Sequence, residues 1–200
     1  MRTKDGLFFS PNYRFFDLEW NNQESIIDAF QDRINGFYFK PASVLNKNKQ
    51  AFAAGVICIT IIDLLTKFNY DSNAVGRRYT KWLANKIPDF NQSDPDNDNN
   101  NLAFRFYDEF RCCIVHEGHI KNTGQFSYDY NSIIKLIDDK NHHIMIVNPK
   151  YLLLSLHKIF NNYIFDLQND EDQFKKFQIK IKEDFFDDFE YSKANDGGIM

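Results

Sequence analysis

Apolar residues recur along this chain at helical intervals, in stretches separated by polar or proline-marked breaks. From Glu24 onward, Ile26, Ile27, Phe30, Ile34 and Phe37 fall three and four residues apart, the repeat of one helix face. Pro41 is expected to stop that helix, because proline has no N–H to continue the ladder. A second helix is predicted over 45–68 and is apolar nearly all round in its second half, which suits the centre of a bundle. A third, over 74–87, mixes Arg77, Arg78, Lys81 and Lys86 with Tyr79, Trp82 and Leu83, and Pro88 ends it. The fourth spans 102–117, with Gly118 as its stop. Asn148-Pro149 supplies an N-cap and a first helical residue for a further helix, which puts Leu152, Leu153, Leu156, Ile159, Phe160 and Tyr163 on one face.

Between these helices the pattern changes. Residues 1–22 read as irregular and turn-rich, and 91–101 as a polar, low-complexity loop too hydrophilic to pack. Two short strands, 133–137 and 142–147, flank the turn sequence Asp138-Asp139-Lys140-Asn141 and predict a hairpin. Beyond Asp166 the composition turns charged, yet Phe174, Phe177, Ile181, Phe185 and Phe189 keep the spacing of an amphipathic helix. The last residues, Ser192 to Met200, are expected to be a flexible tail. The pattern as a whole predicts an all-α fold class of four to five helices with one small β-hairpin. It divides the chain into a helical domain over 1–166 and a charged helix with its tail over 167–200.

Composition narrows the function classes. At 43% hydrophobic with 21 Phe, the chain has ample material for a core, which excludes global disorder. The formal charge of −4 argues against nucleic-acid binding by bulk charge but leaves room for a local basic patch. Cys58, Cys112 and Cys113 are an odd set without metal-type Cys-x2-Cys spacing, and point to a reducing compartment. Leu7-Phe8-Phe9 is interrupted at once by Ser10-Pro11-Asn12, unlike a secretory signal. The apolar run from Ala51 to Leu65 is short for a bilayer and contains Asp63. These features predict a soluble, cytoplasmic protein with no membrane partner.

The informative segment is Arg111-Cys112-Cys113-Ile114-Val115-His116. Five positions put Arg111 and His116 about 140° apart on an ideal helix, and the arginine is long enough to reach toward the imidazole. The pair suits RNA cleavage without a metal or other cofactor. A histidine can move protons to or from the attacking 2′-hydroxyl or the leaving 5′-oxygen, while an arginine stabilises charge building on the phosphate. Asp63, the one charge in the apolar half of its helix, needs a partner, either Arg111 or one of Arg77 and Arg78. Tyr107, Glu117, His119, Lys121 and Asn122 surround the pair as candidate supporting or substrate-binding residues, and Arg77 and Arg78 as candidates for holding RNA backbone. Each also has a structural reading: His116 as a helix cap, Arg111 as a partner for Asp63 or Glu109, and the others as solvated loop or helix face. His116-Glu117-Gly118-His119 is one residue short of the zinc-protease His-Glu-x-x-His, so no metal is expected there.

Arg111-x4-His116, near the end of an amphipathic helix in a helical chain, resembles the Arg-x4–6-His signature of the HEPN family. So do Arg33-Ile34, Tyr38, Pro41 and Leu45, then Phe52, Gly55-Val56 and Ile62-Asp63, and the likeness covers roughly residues 24–165. The string Phe-Arg-Cys-Cys-Ile-Val-His-Glu-Gly-His-Ile-Lys-Asn is similar to bacterial members from toxin and phage-defence settings. Cys112 stands where many active members have a polar residue, often Asn. The resemblance implies a HEPN-like bundle, a ribonuclease with Arg111 and His116 as its catalytic pair, and a homodimer with both motifs at one cleft. A silencing antitoxin or regulatory protein is a further expected partner. The alternative is a non-catalytic HEPN-like module for dimerisation or for nucleotide or partner binding.

Overall fold

The computed structural model describes residues 2–3, 6–69 and 74–195. The chain forms two compact units: one holds the residues up to Lys40 together with those from Phe160 onward, and the other runs from Pro41 to Ile159.

In the first unit, strands β1 (Arg2–Thr3) and β2 (Gly6–Leu7) pair antiparallel ahead of helix α1 (Gln23–Ile34). Asn22 caps α1 by accepting from the Ser25 amide at 3.2 Å. The preceding loop is tied down by Asp32, whose carboxylate accepts from the Ser10 hydroxyl at 2.6 Å and the Asn12 side chain at 2.8 Å. Pro41 does not end the helix. A π-helical stretch, Asn35–Phe39, leads directly into α2 (Lys40–Lys47). The wider π turn displaces the upstream carbonyls, with the Lys40 N–H reaching back to Asn35. That displacement relieves the clash a proline ring makes with the i−4 carbonyl of a regular helix.

Helix α7 (Pro149–Asn169) crosses the unit boundary, and also the position between 166 and 167 where the charged composition begins. The amphipathic stretch that follows is broken at Phe185 into α8 (Glu171–Asp184) and α9 (Phe186–Asn195). Ser192 to Asn195 of the expected tail are helical in α9, while 196–200 lie outside the described residues. The core of this unit is aromatic, and Phe30 lies 4.9 Å from Phe177 between ring centroids. Arg33 is half-buried among Phe9, Phe37 and Phe185, its guanidinium 4.7–5.4 Å from the three rings.

In the second unit, a turn with Lys49 at positive φ separates α2 from α3 (Ala51–Asn69), so the helix expected over 45–68 is two. Helix α3 has 19 residues, and by length and composition Ala51–Phe68 would suffice to cross a membrane, with 44% of that stretch buried. The expectation that this run is too short is therefore corrected. What gives α3 a core role is the burial of Ala54, Cys58, Ile59, Ile62 and Leu65, together with an ion pair on Asp63. Helix α4 (Val75–Lys86) buries Tyr79, Trp82 and Leu83.

The all-α expectation is also overturned, because the chain is mostly helical but mixed α/β. The Asn-rich stretch is not a loop: it forms the antiparallel pair β3 (Ser93–Asp94) and β4 (Asn97–Asn101). The expected hairpin is β6 (Ile134–Asp139) with β7 (His142–Val147), and β5 (Gln125–Phe126) adds to β7 in parallel. Helix α5 (Leu102–Phe106), a π-helical stretch Tyr107–Cys112 and α6 (Cys113–Glu117) run on as one continuous helix. Gly118, at φ +76°, closes it by donating to the carbonyls of Cys113 and Ile114.

Gly55 of α3 faces the Phe126 ring so closely that a Cβ there would lie 2.4 Å from its edge. The ring cannot swing freely, since its centroid is 5.2 Å from that of Phe110. Gly55→Ala should therefore lower stability by about 1–3 kcal/mol through overpacking, exceeding the ~1 kcal/mol gained in helix propensity. Urea denaturation checks it, and adding Phe126→Leu to the same chain should recover most of the loss.

Candidate functional site

The continuous helix 102–117 carries two arginines six residues apart, about 120° around an ideal helix. One is buried and the other reaches the surface. Arg105, only 5% exposed, donates from Nε to Glu109 at 2.8 Å and from a terminal nitrogen to Asp96 at 2.9 Å and Asp94 at 3.3 Å. Its other terminal nitrogen donates to the His143 carbonyl. The Glu109 carboxylate also accepts from the Asn122 amide at 2.8 Å, and its backbone carbonyl accepts from the Lys121 N–H at 3.1 Å. Burial, the largest influence on Glu109, raises its pKa, and the hydrogen bonds to Asn122 and Arg105 offset this only in part. The loop after His116 is thus fastened to the π stretch, with Asn122 and Thr123 held at positive φ.

Arg111 leaves the helix on another side. Its Nε donates to Asp63 of α3 at 3.0 Å, and its guanidinium lies 5.7 Å from the Tyr107 ring centroid. Of the arrangements the sequence left open, Asp63 therefore meets Arg111, while Glu109 is taken by Arg105. Burial opposes the charge on Arg111, but the Asp63 carboxylate outweighs it and raises the pKa above the ordinary value. Among the described residues, the terminal nitrogens of Arg111 have no protein hydrogen-bond partner.

Tyr107 packs on buried Tyr79 at 5.2 Å, and Gly76 of α4 lies so close that a Cβ would sit 3.0 Å from the ring. Burial, and then a hydrogen bond with Cys112, raise the Tyr107 pKa. Tyr79 Oη and Asp63 Oδ1 are buried nearby without a hydrogen bond.

His116 is exposed in the last helical turn, and no hydrogen bond joins it to Arg111 among the described residues. Glu117 and His119 are exposed beyond it, with 3.6 Å between the Glu117 carboxylate and His119 Nε2, and Lys121 approaches Glu117 at 3.9 Å. Asn122 is turned away to Glu109. Arg77 is exposed and Arg78 half-buried on α4. The structure thus brings Arg111, Asp63 and Tyr107 into one cluster, leaves His116, Glu117, His119 and Lys121 on the exposed helix end and loop, and puts Arg77 elsewhere on α4.

Sequence reasoning missed the Arg105 cluster. Its local signal was Arg105 and Glu109 at i,i+4 in an apolar helix, but Asp94 and Asp96 lay hidden in the polar stretch. No group of three or more His, Cys, Asp or Glu among the described residues is arranged to hold a metal. No protein-family model, curated protein or solved structure matches the chain.

Arg105→Met leaves Glu109 and Asp94 buried without their cation. A loss of about 3–5 kcal/mol is expected in chemical denaturation, with part of it restored by adding Glu109→Gln and Asp94→Asn.

His143 donates its backbone N–H to Asp96 at 2.8 Å, and its ring nitrogens lie 2.7 Å from Asp96 and 3.0 Å from Asp138. The Asp96 hydrogen bond is the main reason its pKa is raised, with burial and Arg105 opposing. A raised folded-state pKa means the contribution is complete below about 6.5 and fades as pH rises through the shifted value. Asp96 is shifted down, against burial, by its bonds to His143, so its share is lost only on strong acidification. The melting-temperature advantage of the native chain over His143→Asn should accordingly shrink as pH rises above about 6.5.

Proposed function

We propose that this chain is a metal-independent endoribonuclease of HEPN type that acts as a homodimer in the cytoplasm, as a defence or toxin effector. The observation that carries the reading is Arg111. Asp63 holds it through Nε, its terminal nitrogens have no hydrogen-bond partner among the described residues, and it shares a helix with an exposed histidine. The π stretch containing Arg111 adds support, since such stretches recur at functional sites. Three cysteines without a disulfide fit a reducing compartment.

In this reading the 2′-oxygen of the RNA attacks phosphorus and its proton is withdrawn. The bond from phosphorus to the 5′-oxygen then breaks, and that oxygen takes up a proton. The products are a 2′,3′-cyclic phosphate and a 5′-hydroxyl. His116 is the proton carrier, and Arg111, oriented by Asp63, stabilises the charge on the non-bridging oxygens. Asp63 is a positioning residue, because it acts through Arg111. The resemblance supplies the expectation of a dimer, with two such pairs at one cleft, and of a protein partner that silences it.

The test is incubation with total cellular RNA in EDTA, with the product ends analysed. Cleavage is expected, and His116→Ala or Arg111→Ala should reduce it by about 10² to 10⁴. Asp63→Asn should have a smaller effect. Full activity in His116→Ala would sink the reading.

The ion pair to Asp63 also favours a second reading, in which Arg111 is structural and the chain is a non-catalytic dimerisation or nucleotide- or partner-binding module. A well-folded dimer that cleaves nothing would shift the balance to it.

A further inference from the structure

One turn along α4 from the Gly76–Tyr107 contact, the helix opens onto a pocket of about 250 Å³. Arg77, Thr80 and Lys81 form one wall, Asn99, Asn100 and Asn101 the other, and Phe104 completes it. We infer that this pocket is a subsite for one unstacked base and its phosphate in single-stranded RNA. The inference rests on the ribonuclease reading and specifies its substrate.

The chemistry of the walls selects this occupant. Arg77 and Lys81, four residues apart, are neighbours on one helix face, and both are exposed. In a chain of net charge −4, none of the residues lining the pocket is a carboxylate. The site therefore favours an anion where the surface as a whole does not. A lone exposed phenylalanine needs no explanation. Phe104, 46% exposed, is different because it lines the same pocket as two cations and a row of amides. Its backbone is fixed, since its N–H donates to the Asn101 side-chain oxygen at 3.0 Å. Among the described residues, the Asn101 amide nitrogen has no acceptor. Flat aromatic area, amide donors and acceptors, and paired cations are the three things needed to stack a base, read its edge and hold its phosphate.

At about 250 Å³ the pocket is smaller than the roughly 300–1,000 Å³ of drug-sized sites, which fits one base rather than a helix of RNA. Its placement suits the proposed reaction. Gly76 meets Tyr107, the ring beside Arg111, while Thr80, one turn on, lines the pocket with Phe104. A base seated there would rest on α4 and the 102–117 helix, the two helices that meet where Gly76 faces Tyr107.

The test uses the full chain carrying His116→Ala, so that RNA survives, and a short fluorescein-labelled single-stranded RNA read by anisotropy. Phe104→Ala should weaken binding about tenfold, as loss of one stacked base does, while Phe104→Trp keeps it. Arg77→Gln with Lys81→Gln should weaken binding and flatten its salt dependence. The same RNA annealed to its complement should bind without regard to Phe104. Phe104 is on the surface, so unchanged melting temperatures are expected and serve as the folding control. Undiminished binding by Phe104→Ala, in a protein whose native form cleaves RNA, overturns the subsite and leaves the ribonuclease reading standing. A native chain that neither binds nor cleaves RNA overturns both.

Discussion

A guanidinium taken out of water must find acceptors for its donors, and Arg105 finds them on four other residues that are distant in sequence or a turn away. Asp94 and Asp96 come from the β3–β4 hairpin, Glu109 from its own helix, and a backbone carbonyl from His143. A single buried cation thus specifies how two hairpins dock on the helix that carries Arg111 and His116. Apolar packing alone would tolerate sliding among these elements, whereas an unpaired buried charge would not. Glu109 passes the constraint on, since the oxygen that accepts the hydrogen bond from Arg105 also accepts one from Asn122. The loop that follows His116 is therefore anchored by the group that fixes the hairpins.

The π stretch Tyr107–Cys112 lets one helix serve two polar clusters. Arg105 points into the cluster of buried acids, and Arg111 reaches Asp63 on α3. Tyr107 lies between the clusters, pressed by Gly76 on one side and carrying the Arg111 guanidinium on the other. An arginine held by its Nε, with its guanidinium beside an aromatic ring, loses little further freedom when its terminal nitrogens engage an anion. Such preorganisation is worth most where charge develops during a reaction.

Much of the helical pattern was legible in local spacing. The third helix, the Arg111 helix, the hairpin around Lys140-Asn141 and the Asn148-Pro149 start all follow from short-range rules that their residues obey. The Asn148 side chain accepts from the Lys150 amide, as an N-cap should. What local rules missed depends on partners far along the chain. The Asn-rich stretch reads as loop because its own residues offer nothing to bury. It becomes two strands because Asp94 and Asp96 find Arg105. Pro41 reads as a stop because the π turn that accommodates it has no sequence marker. Of the candidate site, the Arg111–Asp63 pair was visible as one of a few ways to satisfy a lone carboxylate in an apolar helix. The Arg105 cluster was not, since three of its acceptors come from outside the helix.

The net charge of −4 weighs less against an RNA substrate than it first suggests. At physiological ionic strength, exposed charges more than about 8 Å away are largely screened. A phosphate approaching the second unit responds to the groups nearest it, and these differ from place to place. Asp94, Asp96 and Glu109 converge on Arg105, whose single charge offsets one of theirs, and Asp63 is matched one to one by Arg111. Arg77 and Lys81 stand exposed beside a pocket without acids. The distribution leaves a cationic patch on α4, at Arg77 and Lys81, that the chain's acidic total does not describe.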